Sequence, residues 1–103
     1  MKLHSLNPLR KRILKLLKPL FEPEAVVLVS ISVLRRVNIA VVSETFNDLD
    51  WEQRDELVWP TLEQNLSDDE LNRIGMCMLM DPQEGALLIP DLAGTQNEIA
   101  HAS

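Results

Sequence analysis

The side chains able to do chemistry in this 103-residue chain are few, and their spacing does not bring them together. There is one cysteine, Cys77, and there are two histidines, His4 and His101, each near an end of the chain. Neither histidine has an ionisable partner beside it, so both read as exposed. Cys77 lies in an apolar run with no basic neighbour and no helix start to lower its thiol pKa. It reads as a buried strand residue and is at most a weak candidate for a soft metal. The 16 acidic residues are scattered, and no spacing marks an acid–base pair or a metal box. The glycines, Gly75, Gly85 and Gly94, form neither a phosphate-binding loop nor the Gly-x-x-Gly clamp of RNA-binding domains. Catalysis is therefore not expected, and no cofactor is called for.

What remains is the chemistry of recognition, carried by cations. Residues 1–21 hold six bases (Lys2, Arg10, Lys11, Arg12, Lys15, Lys18) and no acid. The rest of the chain holds four bases, Arg35, Arg36, Arg54 and Arg73, against all 16 acids. A basic segment ahead of an acidic body suits nucleic acid, anionic lipid or an acidic partner, or is simply a solvated helix face. Arg10, Lys11, Arg35, Arg36, Arg54 and Arg73 are the candidates for contact with a partner protein or a nucleic acid. The acidic body would repel phosphates, so a nucleic-acid patch would be modest and salt-sensitive.

These side chains need elements to position them. Asn7-Pro8 starts a helix, with Asn as cap and Pro at the first helical position. Leu9, Ile13, Leu16, Leu17 and Leu20 form its apolar stripe, and it ends near Pro19. Three uses of this stripe compete: packing on the protein's own sheet, lying on a membrane surface, or serving as a targeting peptide. Residues 25–34 read as a first strand, residues 35–38 as a tight reversal, and residues 39–43 as a second, antiparallel strand. Asp50 and Gln53 have capping-box spacing ahead of a helix whose buried side includes Trp51, Val58, Leu62 and Leu66, with Leu57 beside them. Pro60, at a cost of about 3 kcal/mol in a helix interior, implies a kink or a helix in two pieces, and the periodic match on both sides favours one kinked helix. Trp59 reads as a packing residue. Ser67 and Glu70 form a second capping box on a short helical turn. Residues 74–80 read as a third strand, with Met76, Met78 and Met80 on one face and Cys77 and Leu79 on the other.

The stretch from Val41 to Leu66 resembles the central motif of the BolA family. The residues that fit are Val41, Val42, Ser43, Phe46, Leu49, Arg54, Leu57, Val58, Trp59, Leu62 and Leu66. The resemblance implies a fold like a class II KH domain, and looser matches extend it over roughly residues 9–84. It also implies partnership with monothiol glutaredoxins and a shared [2Fe–2S] cluster, or transcriptional regulation. The cluster ligands it implies are not matched. The position of the histidine before the third strand falls on or near Arg73, and arginine has no free lone pair for a metal. The loop ligand between the first two strands is missing, and the second residue of the family's Arg-His pair is Asp55.

The expectation is an α+β domain over residues 1–85, with a small three-stranded mixed sheet, helices on one face and the order α-β-β-α-α-β. Residues 86–103 are expected to be a flexible tail, and residues 1–6 a frayed terminus. No apolar run is long enough for a transmembrane helix. The single cysteine is compatible with a cytoplasmic protein. The expected function is non-enzymatic: a BolA-like regulator or adaptor working through protein–protein contacts without a cluster of its own. Nucleic-acid binding through the basic first helix and Arg35-Arg36 is the alternative.

Overall fold

The computed structural model describes residues 5–88, which form an α+β fold. The elements are α1 (Asn7–Leu17), β1 (Val26–Ile31), β2 (Val37–Val42), α2 (Trp51–Asn65), α3 (Asp68–Leu71), β3 (Ile74–Met80) and α4 (Pro82–Leu88), with 3₁₀ turns at Lys18–Leu20 and Glu44–Phe46. The sheet order is β1-β2-β3. β1 and β2 pair antiparallel through a tight reversal, and β2 and β3 pair parallel across the α2–α3 crossover.

Strand alternation gives the sheet two different faces. Val29 on β1, Val37, Ile39 and Val41 on β2 and Leu79 on β3 are buried against α1 and α2, with Val27 and Cys77 partly buried beside them. The α1 stripe supplies Leu9, Ile13 and Leu17 to this core, each contributing about 1.5–3 kcal/mol by burial. These three follow the packing reading, whereas Leu16 is only partly buried and Leu20, beyond the helix end, is exposed. Leu6 joins the core, so the ordered body begins before Asn7. Asn7 is the first helical residue rather than the cap; its amide donates to Ser5 Oγ at 3.1 Å.

Helix α2 is one continuous helix through Pro60. Pro60 and Glu56, whose carbonyl loses its helical donor, are both exposed, so water can take that acceptor. The Asp50–Gln53 box forms in both directions, at 2.8 and 2.9 Å. The buried side of α2 is Arg54, Val58 and Leu62, spaced by four. Trp51 and Leu57 are exposed, contrary to the sequence reading, because the helix presents only this narrow row to the sheet.

The helix α4 was not anticipated. It crosses the boundary drawn at residue 85, while residues 89–103 lie outside the described residues. Its signal is nevertheless in the sequence. Asp81-Pro82-Gln83-Glu84 is a capping box with proline at the first helical position, and both box bonds form, at 2.9 and 2.8 Å. α4 lies on the sheet face turned away from α1 and α2, so the helices are not confined to one face. There Gly85 is closely approached: a Cβ would stand 2.8 Å from Val42 Cγ1.

Candidate functional site

Arg54 is the most heavily engaged side chain. It projects from α2 toward the end of β3 and is 5% exposed. Its Nε donates to the Leu49 carbonyl at 2.9 Å, and its Nη1 donates to the Leu79 carbonyl at 2.9 Å and to Glu84 Oε1 at 2.5 Å. Asp81 stands 3.7 Å from Nη2. The guanidinium also lies over the rings of Trp51, at 5.1 Å, and Phe46, at 5.8 Å. Arg54 therefore ties α2 to β3 and α4 and is not presented to a ligand. Glu84 is held below the ordinary carboxylate range, first by the Asp81 amide and then by Arg54.

Cys77 points to the core side of β3 and is half-buried. Burial, reinforced by the negative charge of Asp55, pushes its thiol up to about 12. At neutral pH it is protonated, which is the wrong state for a nucleophile or a metal ligand. Among the described residues no three His, Cys, Asp or Glu side chains gather where they could hold a metal ion. His4 and His101 lie outside the described residues.

A second polar cluster, missed in the sequence, fastens the chain after α1 to the end of β2. Glu22 accepts from Ser43 Oγ at 2.6 Å, the Glu44 amide at 3.0 Å and Thr45 Oγ1 at 3.2 Å. These bonds, Ser43 first, lower its pKa. The cluster holds the turn entering the Glu44–Phe46 segment, and every member has a structural use.

The cationic candidates divide between the two ends of the sheet. Arg54 sits at the end of β3. Arg73 precedes its start, and a seven-residue strand spans about 20 Å. Arg73 is paired with Asp69 at 3.3 Å. Arg36 joins it, donating from Nη1 to the Asn72 carbonyl at 2.5 Å, while the Val37 amide donates to the Arg73 carbonyl at 2.8 Å. Arg35 and Arg36 are both exposed, as is Lys11 on α1; Arg10 is partly buried, with its Nε 3.4 Å from Asn7 Oδ1. Arg12, outside the predicted set, bonds Glu70 at 2.6 Å and the Asn65 carbonyl at 2.9 Å. With Lys15, Leu16 and Asn65 it lines a cavity of about 230 Å³. So Arg36 and Arg73 come together, with Arg35 next to Arg36 in the turn, and Arg54 is removed from the surface set.

The β1–β2 reversal differs from the expected one. Strand β1 stops at Ile31, and Val33 and Leu34 form the turn instead of continuing the strand. Val33 is 98% exposed and Leu34 is 80% exposed. Arg35, at φ 61°, supplies the left-handed residue of the turn.

The outer sheet face carries Val26, Leu28 and Ser30 on β1, Asn38, Ala40 and Val42 on β2, and Met76, Met78 and Met80 on β3. Seven of these nine positions are apolar, and none belongs to the core under α1 and α2. Met80 is fully buried, whereas Met76, at the other end of β3, is 51% exposed. The three methionines share a face by strand alternation, as expected, and a bulge at Gly75 sets Met76 opposite Asn38, which makes it the outer face. Among the described residues no helix is long and apolar enough to cross a membrane. No protein-family model matches the chain, and no curated protein matches it either.

Proposed function

We propose that the chain is a BolA-like regulator or adaptor that acts in the cytoplasm through protein–protein contacts, without catalysis and without an iron–sulfur cluster of its own. The observation that carries this reading is the outer sheet face, apolar at seven of nine positions and ending in the exposed Met76. Helix α4 covers the Val42 and Met80 end of this face, and the core under α1 and α2 lies on the other side, so the end at Met76 is needed for neither. Unbranched methionines adapt to the contours of an apolar protein surface. The ionisable groups point the same way. Arg54, Glu22 and Glu84 are engaged in bonds that hold the fold, and Cys77 is protonated. Arg73, at the position where the resemblance puts a cluster ligand, is paired with Asp69.

The test is capture of partners from native extract by the tagged chain, with nuclease-treated extract in parallel and Met76→Glu as the surface variant. A protein retained after nuclease treatment and lost with Met76→Glu supports the reading; a monothiol glutaredoxin is the partner the family resemblance suggests. Absence of any retained protein contradicts it. A second reading, a nucleic-acid-binding regulator, draws on the exposed Lys11, Arg35 and Arg36. It requires retention on DNA or RNA that falls steeply with salt and is lost on joint Arg35→Glu and Arg36→Glu substitution.

A further inference from the structure

We infer that the β1–β2 hairpin tip is an insertion point for an anionic lipid surface. Val33 and Leu34 are the two most exposed large hydrophobic residues described, at 98% and 80%. A reversal of this kind needs no apolar side chain at its apex, and turn chemistry favours Gly, Asn or Asp there. The tip is nonetheless held in one conformation. The Ser32 amide donates to the Arg36 carbonyl at 2.8 Å, the Arg35 amide to the Ser32 carbonyl at 2.9 Å, and the Arg36 amide to Ser32 Oγ at 3.2 Å. The Arg36 side chain braces it from below on Asn72. Two aliphatic side chains are thus carried outward on a closed turn, with arginine directly behind them.

Charge and area decide the occupant. Arg36 donates to a neutral carbonyl, so its positive charge is not cancelled. Of the three acids on the neighbouring α3 turn, Asp69 pairs with Arg73 and Glu70 pairs with Arg12, which leaves Asp68. The base of the tip therefore keeps the positive charge of Arg36, although the chain as a whole carries a net charge of −6. Two aliphatic side chains offer roughly 200 Å² of apolar surface. A stable protein interface takes about 800 Å² from each partner and needs matched shape. A lipid interface takes inserted side chains singly and needs no matched shape. Nucleic acid would engage Arg36 and leave both aliphatics in water. Each basic residue near an anionic membrane raises binding about fivefold, and an inserted aliphatic does so by about tenfold or more. Weak, reversible attachment follows, independent of whether the outer sheet face also holds a protein.

The test is co-sedimentation of the full chain with vesicles of phosphatidylcholine alone, or of phosphatidylcholine with about one-third phosphatidylserine. Binding is expected on the anionic vesicles only, and it should fall at high salt. The double variant Val33→Ser, Leu34→Ser should lose about tenfold or more of it. Both positions lie in solvent, so the fold should be unaffected. In Leu34→Trp, added tryptophan emission should shift to the blue on the anionic vesicles and stay unshifted on the neutral ones. Failure of the wild-type chain to bind, binding unchanged by the serine pair, or equal binding to both vesicles overturns the inference. Tip-dependent self-association or tip-dependent retention of nucleic acid, without vesicle binding, would overturn it too and reassign the tip.

Discussion

Replacing Arg54 with methionine tests whether this arginine is a fastening of the fold or a contact for partners. Methionine keeps much of the apolar stem and removes the guanidinium. The Leu79 and Leu49 carbonyls, each bonded at 2.9 Å, then lose a donor, and Glu84 loses its partner at 2.5 Å. An acceptor left unbonded in a buried place costs about 1–3 kcal/mol. Removing one member of a buried ion pair costs about 3–5 kcal/mol, and the partial solvent access of Glu84 and Asp81 reduces that. The combined loss should be about 3 kcal/mol. Domains of this size hold about 5–15 kcal/mol in all, and 1 kcal/mol moves Tm by about 4–8 °C. Tm should therefore fall by about 10–20 °C. Urea unfolding followed by far-ultraviolet circular dichroism gives the loss, and amide exchange should rise first in α4. Arg54→Lys keeps the charge without the planar fork and should fall between the two. A loss below about 0.5 kcal/mol, the range of ordinary surface substitutions, would refute the reasoning. Loss of partner binding in a fully stable Arg54→Met protein would return Arg54 to the interaction surface.

Acid should weaken the same fastening. The folded-state pKa of Glu84 is depressed, so the folded protein binds that proton less readily than the unfolded chain does. Its contribution is fully present above the ordinary value of 4.5 and is lost as pH falls through the lower folded value. Glu22 and Glu70 act in the same direction. Urea midpoints measured from neutral pH downward should fall below pH 4.5. Glu84→Gln should flatten that decline, and an unchanged slope contradicts the assignment. Cys77, with its thiol pushed up from 9.0 to about 12, should alkylate far more slowly at pH 8 in the native protein than in urea. The thiolate fraction alone accounts for roughly a thousandfold; equal rates would place the thiol in solvent.

Local signals carried much of the architecture. The β3 limits, the two capping boxes of α2 and α3 and the buried Leu9, Ile13 and Leu17 were legible because periodicity and cap chemistry act over three or four residues. The same chemistry at Asp81-Pro82-Gln83-Glu84 was present and overlooked. Arg54 was misjudged for a different reason. Its charge suggests the surface, and its burial depends on the Leu79 carbonyl and the Asp81 and Glu84 carboxylates, which are not its sequence neighbours. Glu22 likewise finds Ser43, 21 residues away, only after the sheet forms. The exposure of Trp51 had no sequence signal, because helical spacing does not say how wide a row the sheet will accept.

The sequence by itself determined the α+β character, the element order up to β3, the antiparallel first pair and the concentration of bases before residue 21. Each follows from spacing, residue type or a connection too short for another geometry. Only the tertiary structure decided which charges remain available. It buried Arg54, raised the Cys77 thiol to about 12, gathered Arg35, Arg36 and Arg73 at one end of the sheet and set Val33 and Leu34 out in water. The reason is that burial and electrostatics are sums over neighbours in space. For Arg54, Cys77 and Arg36 the deciding neighbours come from distant parts of the chain, whereas Val33 and Leu34 are exposed because none reaches them.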